Sequence, residues 1–358
     1  MKTPLHAPPW TRRSGPWPIR RRGLALGAAF AAIFAAAHAA PEAPVGLKRE
    51  VVFTDYSPLS RNAELVRRLL SPLTAAKVQE RLARAGQTLA EQSVDLSREK
   101  FVIYIPARPP PGGYGLLVFV PPGEGAELPQ GWATVLDLYG LIFVSAARSG
   151  NDASILGRRI PLALAAVHNI GRQYAVNPER VYIAGFSGGS RVAMRLALGY
   201  PDIFRGALLN AGSDPIGDIE TPLPPREVFL RFQQSTRLVY VTGEQDAINL
   251  GKDSDSMGSM RHWCVFDVEA QVMLHVGHAA PDPSAFARAL GVLLKPAPPN
   301  PGRLDACRST IERDLAAKFQ QVEALTAAGK HDDARALLEK IDARFGGLAA
   351  PRVVDLAP

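Results

Sequence analysis

The chain has few of the features that hold unusual scaffolds together. In 358 residues it has two cysteines, Cys264 and Cys307, and only seven histidines. A chain this long buries enough apolar surface to fold without a disulfide framework or structural metal. It has no apolar run of the ~20 residues that a membrane-spanning helix needs. It also has no acidic residue in its first 39 positions, where Lys2, Arg12, Arg13, Arg20, Arg21 and Arg22 lie. That basic start leads into a short apolar stretch, Gly23 to Ala37, and then into Ala37-His38-Ala39. A basic region, a short apolar core and small residues at the last and third-last positions read as a secretory signal. Cleavage is expected after Ala39, because cleavage one residue later would leave Pro41 next to the cut. Residues 1–39 are therefore set aside as a signal peptide, and the mature chain is expected in the periplasm or outside the cell.

This changes the meaning of the charge. The full chain carries +7, and six of those charges belong to the leader, leaving about +1. The high pI therefore gives no sign of a nucleic-acid partner, and none is expected, because the excess basic charge belongs to the leader. With no cysteine at the cleavage point, neither a lipid anchor nor another stable membrane anchor is expected. An oxidising compartment permits a bridge between Cys264 and Cys307; two buried thiols are the alternative.

Four segments follow from the texture. Residues 40–97 read as an amphipathic helical extension, with Leu65, Leu69, Leu70, Val78, Leu82 and Leu89 at helix-like intervals. It would pack on the main domain or cover a site. Residues 98–295 alternate apolar strands with helices. The strands are Phe101–Ile105, Leu116–Val120, Leu141–Ser145, Val181–Ala184, Ala207–Asn210, Leu238–Val241 and Val272–His275, with a long helix over 153–174. Continuous apolar strands between helices predict an α/β fold: a mostly parallel sheet with helices on both faces. A Pro-rich linker covers 296–301. Residues 302–350 then predict a helical hairpin, tetratricopeptide-like in its Gly turn and Ala pattern, with one apolar stripe through Ile311, Leu315, Phe319, Val322 and Leu325. One such unit cannot form a solenoid. It would pack on the core or receive a protein partner.

The chemistry is expected around Ser187. Gly185, Ser187 and Gly189 fill a Gly-x-Ser-x-Gly pattern directly after a buried strand and before a helix. That context makes a nucleophile elbow, in which small flanking residues let the chain turn sharply and present the serine. A serine hydroxyl needs a base and an orienting carboxylate. Asp246, at the end of a late strand, is the candidate acid, with Glu244 and Asp253 as competitors. His278, just past the last strand, is the candidate base. His275 falls within the strand pattern and is expected to be packed. Two histidines three positions apart, with no further ligands, do not make a metal site. The order Ser, Asp, His is that of the α/β hydrolases. For the oxyanion hole, the Gly188 N–H at a helix start is one donor. The other should follow the early strand, in Pro121-Pro122-Gly123-Glu124-Gly125, where the prolines have no N–H and Gly123 or Glu124 must donate.

The stretch Tyr174-Ala175-Val176-Asn177-Pro178-Glu179-Arg180-Val181-Tyr182-Ile183-Ala184-Gly185-Phe186-Ser187-Gly188-Gly189 resembles the polyhydroxybutyrate depolymerase and feruloyl-esterase-like branch of the α/β hydrolases. So do Tyr200–Gly206 and Asn210–Ser213, and the resemblance covers roughly Phe101 to Leu294. It implies hydrolysis of a small or polymeric carboxylic ester through an acyl-enzyme, without a cofactor. It carries over Ser187 as nucleophile, Asp246 as acid and His278 as base. The His-Gly pair common in such hydrolases is absent from the Pro121–Gly125 loop. A peptidase or acyltransferase on the same scaffold, and a noncatalytic exported interaction protein, are the other functions this pattern allows.

Overall fold

A computed structural model describes residues 45–295 and 300–357. The predicted signal peptide with its cleavage point, and residues 296–299 of the linker, lie outside them.

In chain order the elements are β1 (Gly46–Val51), α1 (Asn62–Leu69), α2 (Pro72–Arg84), β2 (Phe101–Ile105), β3 (Tyr114–Val120), α3 (Trp132–Tyr139), β4 (Leu141–Ala146), α4 (Ile160–Gln173), β5 (Val176–Phe186), α5 (Gly188–Gly199), β6 (Gly206–Asn210), α6 (Arg226–Ser235), β7 (Arg237–Gly243), α7 (Ala247–His262), β8 (Val268–Met273), α8 (Pro283–Leu293), α9 (Pro301–Ala327) and α10 (His331–Phe345). The strands form one sheet in the order β1-β2-β4-β3-β5-β6-β7-β8. The pairs β1–β2 and β2–β4 are antiparallel, and every pair from β4 to β8 is parallel. This is the α/β-hydrolase fold, with β5 central and the serine turn at its carboxyl end.

Alternation along the central strands explains the two-faced core. Leu116, Val118 and Val120 of β3 face one layer with α4, α5 and α6. Leu117 and Phe119 face the other, with Trp132 of α3 and Phe286 and Leu290 of α8. Successive side chains of a strand point to opposite faces, so a strand covered on both sides must be apolar throughout. All seven residues of β3 and all six of β4 are buried.

Several sequence expectations need correction. The 40–97 extension is not wholly helical: Gly46–Val51 is a strand that extends the sheet by pairing with β2. Its Lys48, Arg49 and Glu50 interrupt any apolar alternation, as suits an edge strand with little to bury. The last strand is Val268–Met273 rather than Val272–His275. It is an edge strand too, with Glu269 and Gln271 among its six residues, so its apolar pattern is weak. His275 is therefore not packed; it lies in the following turn, exposed, with φ 60°. The helix over 153–174 opens as a π-helical turn, Ile155–Arg159, before α4. Pro301, read as linker, is the first residue of α9, where its missing N–H costs nothing.

The helical hairpin α9–α10 lies on the core. Leu315, Phe319, Val322, Leu338, Ile341 and Phe345 are buried in the same cluster as α5 and α6. Asp342 of α10 accepts from Ser71 Oγ at 2.5 Å and from the Leu73 N–H at 3.0 Å. It thus satisfies a free amide in the first turn of α2. Gly347 donates to the Leu223 carbonyl at 2.7 Å. Of the two roles expected for the stripe, packing on the core is the one seen, with Ile311 and Leu325 partly buried at its ends.

Cys264, just after α7, is disulfide-bonded to Cys307 in α9, with Cα atoms 5.9 Å apart and a sequence separation of 43. By the chain-entropy argument, closing a loop of that length removes about 4 kcal/mol worth of freedom from the unfolded chain. The paired change Cys264→Ser and Cys307→Ser should lower the unfolding free energy by about 2–4 kcal/mol in urea titrations. An unchanged midpoint would contradict a stabilising role.

Candidate active site

Ser187 sits between β5 and α5 with φ 56° and ψ −123°. A non-glycine residue holds that conformation at a cost of about 1–3 kcal/mol, when its surroundings leave no alternative. Here they do not. The Ser187 N–H donates to the Asn210 carbonyl at 2.8 Å, tying the turn to β6. A Cβ on Gly185 would lie 2.2 Å from the Gly189 carbonyl oxygen, and one on Gly189 would lie 2.0 Å from that of Val120. Both contacts are with backbone, which cannot yield. The two glycines let the start of α5 press against the ends of β3 and β5.

His278 reaches this serine from the loop after β8. Its Nε2 is 3.0 Å from Ser187 Oγ and its Nδ1 is 2.6 Å from Asp246 Oδ2. A carboxylate beside Nδ1 assigns the proton to that nitrogen and leaves the Nε2 lone pair facing the hydroxyl. The ring lies 4.9 Å from that of Phe186 between centroids, which limits its swing. Asp246 caps α7, and its carboxylate is only 8% exposed. Asn249, one turn on, donates through Nδ2 to both of its oxygens, at 3.0 and 2.9 Å. Burial pushes the Asp246 pKa up. The bonds from His278 and Asn249 outweigh that, and the net shift is downward.

The two competing acids do other work. Glu244 Oε2 accepts from the His275 N–H at 2.8 Å and organises that turn. Asp253 is buried and takes a 2.5 Å bond from Thr242 Oγ1. Burial raises its pKa to about 6.

The loop after β3 is held by its carbonyls. Pro121 accepts from Arg159 Nη2 at 2.9 Å, Pro122 from the Asn151 N–H at 2.9 Å, and Glu124 from the Arg148 N–H at 2.7 Å. The Asn151 side chain packs on Gly188, where a Cβ would lie 2.1 Å from its Oδ1. Asn151 thus touches both the Pro121–Gly125 loop and the elbow, the two segments predicted to supply N–H donors. Gly123 and Glu124 are exposed, and Gly188, as the first residue of α5, has no intrahelical partner for its N–H.

Sequence reasoning missed Asn249, Asn151 and Arg159. Asn249 had a local signal, since a helix-capping Asp commonly engages residues two and three positions on. The others had none, because tertiary contacts alone bring them to the elbow. Helices α1 and α2, expected to pack on the main domain or cover a site, pack on it through Leu65 and Leu73 and line a cavity of about 390 Å³ with Ile155, Leu156 and Leu198. Ser187, Asp246 and His278 are not among its walls. Among the described residues, no group of three His, Cys, Asp or Glu side chains converges as a metal site, and no helix is long and apolar enough to cross a membrane.

Two substitutions separate backbone crowding from side-chain crowding. Gly189→Ala must displace the Val120 carbonyl, whereas Gly188→Ala meets only the Asn151 amide. Overpacking of the first kind costs about 1–3 kcal/mol, so Gly189→Ala should lower the thermal midpoint clearly more than Gly188→Ala. Equal midpoints would refute the close-approach argument. Asn249→Ala should raise the Asp246 pKa by removing two of the bonds that depress it. A depressed carboxylate contributes stability above its unfolded pKa and loses it as pH falls through the folded value. The variant should therefore begin to lose that contribution at higher pH than wild type. Acid-unfolding curves that superimpose would count against Asn249.

No protein-family model matches the chain. A poly(3-hydroxybutyrate) depolymerase from Ralstonia pickettii is 31% identical over 173 residues, covering 40% of this chain and 35% of the relative. The match thus spans about a third of that relative's length. Among solved structures, a poly(3-hydroxybutyrate) depolymerase from Bordetella parapertussis aligns over 58% of this chain and 88% of its own, with 18% identity and a TM-score of 0.41. An acetyl xylan esterase from Aspergillus awamori aligns over 55% and 94%, with 14% identity and a TM-score of 0.43. The chain has the α/β-hydrolase fold, and its sequence is similar to that of a poly(3-hydroxybutyrate) depolymerase.

Proposed function

We propose that the protein is an exported serine esterase that hydrolyses carboxylic esters through an acyl-enzyme formed on Ser187. One observation carries the reading: an unbroken hydrogen-bond path from Ser187 Oγ through His278 to Asp246, with the serine on a strained turn. His278 Nε2 takes the hydroxyl proton as Oγ attacks the ester carbonyl carbon. Asp246 keeps the imidazole in the required tautomer and balances the imidazolium that forms. The tetrahedral intermediate places its negative charge against the N–H of Gly188 and that of Gly123 or Glu124. As the intermediate collapses, the C–O bond to the alcohol breaks and His278 returns the proton to the leaving oxygen. Water then repeats the sequence on the acyl-enzyme, releasing the acid and restoring Ser187.

The substrate follows from chemistry and likeness together. The site needs only an ester carbonyl, with no cofactor. The Ralstonia pickettii relative's name makes hydroxybutyrate esters, polymeric or short, the first to try. Export is supported by the basic leader and by the Cys264–Cys307 bridge, which suits an oxidising compartment.

A fluorophosphonate probe should label the wild type and spare Ser187→Ala. That substitution should also lower the kcat for p-nitrophenyl esters by a factor on the order of 10⁴ or more. Folded wild type that neither labels nor hydrolyses any ester would refute the assignment. A marked preference for aminoacyl anilides over esters would turn it to a peptidase.

A further inference from the structure

We infer that Arg159 is a positioning residue for the oxyanion hole, because it ties together the two backbone segments that supply its donors. This rests on the esterase reading above.

The side chain is in an unusual place. Arg159 closes the π-helical turn ahead of α4 and is only 3% exposed. Nη2 donates to the Pro121 carbonyl at 2.9 Å, and Nη1 to the Gly188 carbonyl at 3.4 Å. Its buried Nε has no hydrogen-bond partner. Both of these bonds go to carbonyls, and among the described residues no carboxylate is hydrogen-bonded to the guanidinium. Burial pushes its pKa down to about 10, against the attraction of Glu124 and with added repulsion from Arg195. A buried cation held mainly by carbonyls is a costly way to fill space. Packing alone would be served better by an apolar side chain.

The two acceptors explain what the cation does. Gly188 is one proposed donor, and Pro121 begins the loop that carries the other, two residues before Gly123 and three before Glu124. Between β3 and β5 the ladder reaches Val120 opposite Gly185 and then stops. The next two residues of the loop are Pro121 and Pro122, which have no N–H and cannot continue the cross-link. The guanidinium replaces those missing bonds from the side. Its planar fork presents donors at a fixed separation, so it sets the spacing of loop and elbow as well as joining them. A lysine keeps the charge but offers one compact ammonium that cannot span both carbonyls. Since the rate depends on donors lying about 3 Å from the oxyanion, a small change in spacing costs turnover before it costs substrate binding.

The test compares wild type with Arg159→Lys and Arg159→Met, using a p-nitrophenyl ester and a phenylboronate that mimics the tetrahedral intermediate. Near-ultraviolet circular dichroism checks that the variants fold. Both variants should lose kcat by a factor on the order of 10–100. KM should stay within about threefold, and boronate affinity should fall by about the same factor as kcat. A merely structural arginine would lower the melting temperature without that shared loss. Folded variants with wild-type kcat overturn the proposal, as does an intact boronate affinity beside a damaged kcat. Unfolding of both variants also overturns it, by making Arg159 a packing residue. Wild type without ester hydrolysis refutes the esterase reading itself, and this proposal with it. An active wild type with unaffected variants refutes this proposal alone.

Discussion

The site depends on one close approach. The first turn of α5 lies against the carboxyl ends of β3 and β5 with no room for a Cβ at Gly185 or Gly189. Three consequences follow from that contact. It holds Ser187 at a backbone angle that few residues tolerate, so the hydroxyl stands clear of the sheet. It brings the start of a helix, with its free N–H groups, beside the loop that leaves β3. It also gives His278 a fixed target, since the Asn210 carbonyl holds the same turn from the other side. The glycines act by being small, and the energy stored at Ser187 is supplied by the packed layers around it.

Electrostatics complete the arrangement by balancing burial against hydrogen bonds. Asp246 is sunk deep enough that burial alone favours its neutral form, which could not orient an imidazole. Asn249 and His278 reverse the balance by supplying donors. Asp253 shows the other outcome nearby, where fewer donors leave burial in control. The same comparison bears on Arg159, where burial outweighs the field of Glu124 and lowers the pKa.

What could be read from the sequence divides along physical lines. Strands buried on both faces announce themselves as apolar runs, so β3, β4, β5, β6 and β7 were legible. Edge strands do not: β1 was taken for helix, and β8 was placed too late in the chain, dragging His275 into a strand it does not occupy. The meeting of the candidate residues Ser187, Asp246 and His278 was legible because each lies at the carboxyl end of a strand or just past one, where open α/β sheets bind ligands. Asn151 and Arg159 were not, because nothing near them in sequence encodes their meeting with Gly188. From the sequence, the Pro121-Pro122 pair says only that Gly123 or Glu124 must be the donor. The structure adds that side chains and neighbouring amides hold that loop by its carbonyls.

The first strand has a further consequence. An open sheet leaves a row of unsatisfied backbone groups at each margin, and one molecule can stitch itself to another there. At β1 that margin carries Lys48, Arg49 and Glu50, and its register with β2 breaks between Lys48 and Val51 where Glu50 takes φ 58°. At the opposite margin, β8 carries Glu269 and Gln271. Charge and a local kink make both rims poor templates for a second chain. The segment that looked like an accessory helix therefore contains a strand whose charges and kink suit it to the rim of the sheet.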